Sequence, residues 1–247
     1  MALANWKMEM SITDSLTYLR EFHPPQQVQV VLCPPYTALY PMAQALGDRP
    51  LELGVQNISA AVNGAHTGEI SARLAADAGA RWVLLGHWEL RRHLGETDEI
   101  INQKIHRALE ADLHPIVLIG ESLDVETAQV VSTLEQQQTS VLKGCTADQV
   151  SRMAFVYEPE WTIGATEPAP PEHVGRGCRR IRRWLTDHFG PGTAQSIRIL
   201  YGGSVTPAYA GKLLTLPDVD GLGAGRTGRD PVAFAEIVSL IAQMRAH

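Results

Sequence analysis

The sequence of 247 residues has few cysteines, few aromatic residues and no long apolar segment. Its three cysteines, Cys33, Cys145 and Cys178, are widely spaced and form no CxxC pair, so the sequence indicates neither a disulfide framework nor a zinc site. No apolar run approaches the roughly 20 residues of a membrane span, and the first residues lack the pattern of an export signal. We therefore expect a cytoplasmic protein that does not interact with membranes.

An excess of positive charge is also missing. The chain has 21 Lys and Arg against 27 Asp and Glu, a formal net charge of -6, which argues against binding to nucleic acid or to an anionic lipid surface. One basic run, "RGCRRIRRW" at 176–184, is assigned to the solvated face of a helix and given no role. The sequence also has no GxGxxG or Walker pattern and no cluster of metal-ligand residues, so we expect neither a cofactor nor a metal.

What the sequence does contain is a repeat of short apolar strands and longer amphipathic segments. The strands are predicted at 3–8, 28–34, 51–57, 81–87, 114–120, 153–159, 197–203 and 219–225. A typical helical segment covers 97–112, where Thr97 and Asp98 suit a helix start. Eight strand–helix units of about 31 residues predict a single-domain α/β protein, a (β/α)₈ barrel that spans residues 1–247.

Polar residues stand where several of these strands end: Asn5 and Lys7 after the first, His87 after the fourth and Glu158 after the sixth. Taken alone, His87 could be a core residue, a metal ligand or a proton carrier. In a (β/α)₈ barrel, however, all these strand ends meet at one rim, where the active site lies. Their convergence favours a catalytic function.

The seventh and eighth strands end in glycine-rich segments, 201–205 and 223–226. Backbone N–H groups without a neighbouring Cβ can approach an anion closely, and barrels of this kind often bind phosphate at these two loops. A phosphate held there would place the reacting carbons near Glu158, His87 and Lys7. A carboxylate base with a histidine donor and a lysine cation then predicts aldose–ketose isomerisation of a small phosphorylated carbonyl compound.

Five motifs, in this order, resemble the triosephosphate isomerase family over essentially the whole chain: "NWKM" at 5–8, "TGE" at 67–69, "GH.E" at 86–89, "YEP.W" at 157–161 and "YGGSV" at 201–205. The resemblance implies interconversion of dihydroxyacetone phosphate and glyceraldehyde 3-phosphate, a step of glycolysis and gluconeogenesis. It makes Glu158 the base and His87 a neutral electrophile. Asn5 and Lys7 would be the pair that polarises the substrate.

The same resemblance implies a lid from residue 159 to about 169, which Tyr201 latches when it closes. The residues expected at the phosphate are Gly164, Ser204, Gly225 and Arg226, and Glu89 is expected in a supporting role. Members of the family are usually homodimers, in which the loop around Thr67 enters beside the active site of the partner subunit.

Several positions depart from the family's usual residues. The chain has Trp88 for serine, Leu90 for arginine, Ala165-Thr166-Glu167 for Thr-Gly-Lys at the lid tip, Arg226 for glycine and Leu118 for cysteine. Trp88 can face the mouth of the barrel or turn into its wall. These changes leave two alternatives open: an isomerase of a four-carbon ketose phosphate such as erythrulose phosphate, and a phosphate-ester-binding barrel without activity. As a separate alternative, an enzyme of a different class would use Lys7 as a Schiff-base nucleophile.

Overall fold

A computed structural model describes residues 1–123 and 129–244. It contains eight short strands; seven lie within predicted strand segments, and β1 begins one residue before its predicted segment at 3–8. Their bounds are β1 Ala2–Asn5, β2 Val30–Cys33, β3 Glu52–Val55, β4 Trp82–Leu85, β5 His114–Ile119, β6 Ala154–Tyr157, β7 Arg198–Gly202 and β8 Gly221–Ala224.

The eight strands form one closed parallel barrel. Each strand pairs with the next in the sequence, and β1 also pairs with β8 through Ala2↔Leu222, Leu3↔Gly223 and Ala4↔Ala224. Since all strands run in parallel, all their carboxyl ends lie at the same rim. The predicted (β/α)₈ barrel is confirmed.

Helices connect the strands around the outside of the barrel. Their bounds in the described residues are α1 Ile12–Glu21, α2 Tyr36–Leu46, α3 Ala72–Asp77, α4 Trp88–Leu94, α5 Asp98–Glu110, α6 Val130–Val141, α7 Ala147–Ser151, α8 Pro171–Phe189, α9 Pro191–Ser196, α10 Pro207–Leu214 and α11 Pro231–Met244. Helix α5 begins as predicted, because the Thr97 side chain caps it by accepting a hydrogen bond from the Ile100 N–H. No helix in the described part of the chain is long and apolar enough to span a bilayer.

Alternating side chains of the strands produce two apolar layers. Within β1, Leu3 belongs to a small cluster inside the barrel with Leu84, Leu118 and Val156, whereas Ala2 and Ala4 belong to the larger layer between strands and helices. The inner cluster fills the barrel below the rim. The polar residues at the strand ends therefore lie directly above this packed apolar cluster.

The basic run at 176–184 lies in α8. Its apolar members Cys178 and Ile181 are fully buried, while the Arg183 side chain is 83% exposed, as the interpretation of a solvated helix face requires. Arg182 differs, because its guanidinium is largely buried and forms an ion pair with Asp220. This part of the run attaches α8 to the segment that precedes β8.

Candidate active site

A cavity of about 710 Å³ opens at the rim formed by the carboxyl ends of the strands. It is the place where the barrel architecture predicts an active site. The predicted site residues that line it are Asn5, Lys7, His87, Glu89, Glu158, Gly164, Ser204, Gly225 and Arg226. Two others lie elsewhere: Tyr201 is fully buried behind the lid, and Thr67 is exposed on the loop after β3.

Glu158 follows directly after β6, and its side chain is buried in the cavity wall. Its Oε1 lies 3.5 Å from Nε2 of His87, and its Oε2 is buried with no hydrogen-bond partner among the described residues. Burial raises the pKa of this carboxyl above its ordinary value, although the nearby His87 and Lys7 act in the opposite direction. A desolvated carboxylate with a free oxygen is well suited to accept a proton from carbon.

His87 is buried at the N-cap of α4, where its Nδ1 accepts a hydrogen bond from the Glu89 N–H at 3.3 Å. A ring nitrogen that accepts a hydrogen bond carries no proton, so the geometry places the proton of a neutral imidazole on Nε2. Nε2 is the ring nitrogen near Glu158. The imidazole can therefore donate a hydrogen bond to an oxygen of a bound molecule.

Lys7 and Asn5 form the part of the site that follows β1. The Asn5 Oδ1 accepts a hydrogen bond from the Lys7 N–H at 2.9 Å, and the Lys7 ammonium donates to Glu89 Oε1 at 2.5 Å. Burial alone would raise the pKa of Glu89, but the Lys7 bond and the charges of His87 and Lys7 lower it below its ordinary value. Glu89 is thus an ionised partner that holds the lysine cation at the cavity.

The loops after β7 and β8 form the opposite side of the cavity. Residues 202–206 and 223–227 line it, including the backbone of Ser204 and Gly225 and the residue Arg226. Ser204 has a φ of 49°, an uncommon conformation for a residue other than glycine. Its hydroxyl lies 2.6 Å from the Ala165 carbonyl oxygen and 3.0 Å from that of Thr162. Ser204 therefore connects the glycine-rich loop after β7 to the predicted lid segment.

The predicted lid is attached at both ends. At its C-terminal end, the Ala169 N–H donates a 2.8 Å hydrogen bond to the Tyr201 hydroxyl. At its N-terminal end, Trp161 Nε1 donates to Glu121 Oε1 at 3.2 Å. Gly164, between them, has a φ of 77° and lines the cavity. These contacts place the lid segment directly over the site.

Three residues that hold the site were not predicted from the sequence. Glu121 follows β5 and accepts hydrogen bonds from Tyr157 and Trp161, and the same strand-end rule that selects Glu158 could have found it. Gln56 donates to the Lys7 carbonyl oxygen at 2.8 Å. The Trp88 indole N–H donates to the Glu158 carbonyl oxygen at 3.0 Å, and no sequence pattern indicates either of the last two contacts.

The Trp88 side chain is half-buried and does not line the cavity. Within the described chain, the residues that line the cavity include its neighbours His87, Glu89 and Leu90 but not Trp88 itself. Of the other unusual residues, those that line the cavity are Leu90, Leu118, Ala165, Thr166 and Arg226. No group of three or more His, Cys, Asp or Glu able to hold a metal occurs in residues 1–123 and 129–244.

Comparison with known proteins agrees with this geometry. The family model described as triosephosphate isomerase matches residues 1–241. A triosephosphate isomerase of Symbiobacterium thermophilum is 38% identical over 98% of this chain and 97% of its own length. Those of Alkaliphilus metalliredigens and Chloroflexus aurantiacus are 37% and 35% identical, each over 95% of this chain and 96% of its own length. The chain belongs to the triosephosphate isomerase family.

Proposed function

We propose that this protein interconverts dihydroxyacetone phosphate and glyceraldehyde 3-phosphate through an enediolate intermediate. The observation that carries the proposal is the pairing of a buried carboxylate and an imidazole donor, Glu158 and His87, 3.5 Å apart in a cavity whose other side consists of the glycine-rich loops. The relatives named triosephosphate isomerase support this substrate pair, and nothing in the comparisons favours a four-carbon substrate.

In the proposed reaction, Glu158 takes a proton from the hydroxymethyl carbon of dihydroxyacetone phosphate. The electrons of the broken C–H bond form the C=C bond of the enediolate, and negative charge develops on the former carbonyl oxygen. His87 donates from Nε2 to that oxygen and accepts the proton of the neighbouring hydroxyl. Glu158 then returns its proton to the other carbon, which yields the aldehyde and restores both side chains.

The remaining site residues stabilise charge in this scheme. Lys7, held by Glu89, places a cation beside the oxygens on which charge develops, and Asn5 lies next to it on the same strand end. The phosphate occupies the loops that contain Ser204 and Gly225. Arg226 adds a charged, forked donor there.

The lid excludes water during the reaction. An enediolate can lose its phosphate if it is free to rotate in solvent, so the lid over Gly164 protects the intermediate. Two hydrogen bonds, Ala169 to Tyr201 and Trp161 to Glu121, hold the two ends of the lid.

We also infer that the protein acts as a homodimer of single-domain chains, each domain covering residues 1–247. The loop that contains Thr67 is exposed along residues 62–69. Large apolar side chains near the site are uncovered as well, with Met8 98% and Leu94 74% exposed. A second copy of the chain would cover both features. The three free cysteines support a cytoplasmic location.

An isomerase assay in deuterated water tests the proposed function. Dihydroxyacetone phosphate should be converted with deuterium incorporated at the carbon that receives the proton, and Glu158→Gln should lose the activity. Faster turnover of a four-carbon ketose phosphate would instead support that alternative. Binding of the phosphate ester without exchange would indicate a barrel without activity, and a borohydride-trapped adduct on Lys7 would indicate Schiff-base chemistry.

Sedimentation tests the dimer. Thr67→Arg should shift the protein toward monomer and lower kcat, because a misplacement of catalytic groups by about 1 Å can cost about 100-fold. Thr139→Arg, at an exposed position of α6, is the matched control and should remain dimeric and active. A fully active monomer would contradict the inference.

A further inference from the structure

Trp88 touches the main chain of the proposed base although it does not line the cavity. It is the first residue of α4, immediately after His87, and its side chain is half-buried. The indole Nε1–H donates to the Glu158 carbonyl oxygen at 3.0 Å, a normal length for a hydrogen bond. The contact joins the segment after β4 to the segment after β6, across the strand that lies between them.

With this bond, both main-chain polar groups of Glu158 are held. Its N–H donates to the Ile119 carbonyl oxygen at 2.8 Å, and its carbonyl oxygen accepts from Trp88. The carbonyl also packs against Gly120 so closely that a Cβ at residue 120 would lie 2.1 Å from the Glu158 oxygen. By contrast, Oε2 of the carboxylate has no hydrogen-bond partner among the described residues. The main chain is held by three contacts, while one carboxylate oxygen of the side chain has no hydrogen bond from the described part of the chain to keep it in place.

Trp88 is itself fixed by Arg91. The guanidinium carbon lies 5.5 Å from the centroid of the indole ring, within cation–π range. Arg91 also donates from Nε to the Gly86 carbonyl oxygen at 3.0 Å and from Nη1 to Asp98 at 2.6 Å. Gly86 is the residue before His87. One arginine therefore braces both the segment that carries the imidazole and the indole that holds Glu158.

The residue type matters for this contact. A serine, the family's usual residue here, carries its hydroxyl on Cβ, whereas the indole N–H lies several ångströms further from the main chain. In the same position a serine could not form the Trp88 bond without a shift of α4 or of the β6 end.

We propose that Trp88 is a positioning residue that fixes the main chain of Glu158, so that the base approaches the substrate carbon by side-chain rotation alone. The inference rests on the proposed isomerase function. It assigns Trp88 no contact with the substrate, so its loss should lower the rate of proton transfer and leave substrate binding nearly unchanged.

The test compares Trp88→Phe with Trp82→Phe. Each substitution removes one indole N–H and keeps an aromatic ring, because Trp82 Nε1 donates to Glu52 Oε2, also at 3.0 Å, at the opposite end of the barrel. We expect Trp88→Phe to lower kcat about 3- to 10-fold, the range that one hydrogen bond accounts for, with KM within about twofold of the wild type. Trp82→Phe should leave kcat unchanged.

Two further measurements separate positioning from general damage. Glycolate 2-phosphate, whose carboxylate copies the planar enediolate, should bind more weakly to Trp88→Phe, while inorganic phosphate should bind as before. In Arg91→Lys the lysine keeps a positive charge near Asp98, but its single ammonium cannot donate to the Gly86 carbonyl oxygen as well. We expect this variant also to have a lower kcat than the wild type. This second variant tests the brace if Trp88→Phe fails to fold.

The inference is overturned if Trp88→Phe has the kcat of the wild type, if Trp82→Phe loses as much activity, or if only KM changes. If the wild-type protein converts neither three-carbon nor four-carbon sugar phosphates, the proposed function itself fails. If the wild type converts the substrate and Trp88→Phe has the same kcat, only the positioning role of Trp88 is refuted.

Discussion

Glu158→Gln should abolish most activity and at the same time stabilise the fold. Glutamine has nearly the same shape and size as glutamate, so the packing of the cavity wall should be retained. What changes is the charge: the amide cannot accept the proton from carbon, and it also cannot ionise. The same substitution therefore removes a catalytic base and a buried charge.

The expected loss of turnover follows from the role of the base. A positioned base typically supplies about 10²- to 10⁴-fold in rate, so kcat should fall by at least about 100-fold. The loops that hold the phosphate lie on the other side of the cavity, and binding of inorganic phosphate should stay the same. Retention of more than about a tenth of kcat would remove Glu158 from the role of base.

The expected gain in stability follows from burial. The pKa of Glu158 is raised above its ordinary value of 4.5, chiefly by desolvation. A carboxyl whose folded-state pKa is raised contributes stability that is fully present below the unfolded pKa and is lost as pH rises through the folded pKa. Above the folded-state pKa, the ionised, partly unpartnered group therefore destabilises the fold. A buried charge without a partner costs more than a buried neutral polar group, and the neutral amide removes this difference.

Thermal melts of the wild type and Glu158→Gln between pH 5 and 8 measure this effect. Removal of about 1–2 kcal/mol of destabilisation should raise Tm by about 2–8 °C at neutral pH for a chain of this size. The gain should shrink as pH falls toward 4.5, where the wild-type carboxyl also becomes protonated. A Tm at or below that of the wild type at pH 8, or a gain that does not depend on pH, would refute the argument from burial.

Three further substitutions test other parts of the site. His87→Gln should lower kcat by about 100-fold with a smaller effect on KM, because a donor to developing charge acts mainly in the transition state; steady-state kinetics with equal losses of binding and turnover would contradict this. Tyr201→Phe should leave the Ala169 N–H without its partner and lower kcat several-fold, whereas Tyr40→Phe, at an exposed position of α2 away from the cavity, should not. Burial alone would raise the pKa of Glu121, but hydrogen bonds from neighbouring groups lower it below the ordinary value of 4.5. The ionised Glu121 carboxylate therefore stabilises the fold above pH 4.5, and this stabilisation is lost as pH falls through the folded-state pKa. Glu121→Gln should therefore reduce Tm at pH 7 and flatten the decline of Tm in acid; a parallel decline in both proteins would argue against this carboxylate.

The strands could be predicted from the sequence because their signals are local. Each is a run of apolar residues that turn and glycine residues terminate. Seven structural strands lie within the predicted segments, and β1 begins one residue before its segment. The start of α5 was equally local, since Thr97 caps the helix within its first turn. The predicted segments are longer than the observed strands because they also include flanking residues, such as Val28 and Gln29 before β2 and Gly86 and His87 after β4.

The site residues were found by a rule of topology rather than by local pattern. Parallel strands bring their carboxyl ends to one rim, so the polar residues at these ends could be grouped without knowledge of distances. That rule brought Glu158 and His87 into one cavity. It could not predict the side-chain partners, such as Glu89 on the Lys7 ammonium, because a long flexible side chain can reach several neighbours from the same backbone position.

Two of the contacts that the sequence could not predict share one physical feature, which is that each holds the main chain of an active-site residue. Lys7 and Ser204 adopt φ angles of 53° and 49°, a conformation that costs roughly 1–3 kcal/mol outside glycine and persists only where neighbours enforce it. Gln56 binds the Lys7 carbonyl, as Trp88 binds the carbonyl of Glu158. In both cases a residue outside the cavity occupies the backbone group, and the side chain stays available for chemistry. A substitution at such a position can move a catalytic group while every motif residue is kept. The motifs alone therefore identify the reaction, but they do not show how firmly the catalytic side chains are held.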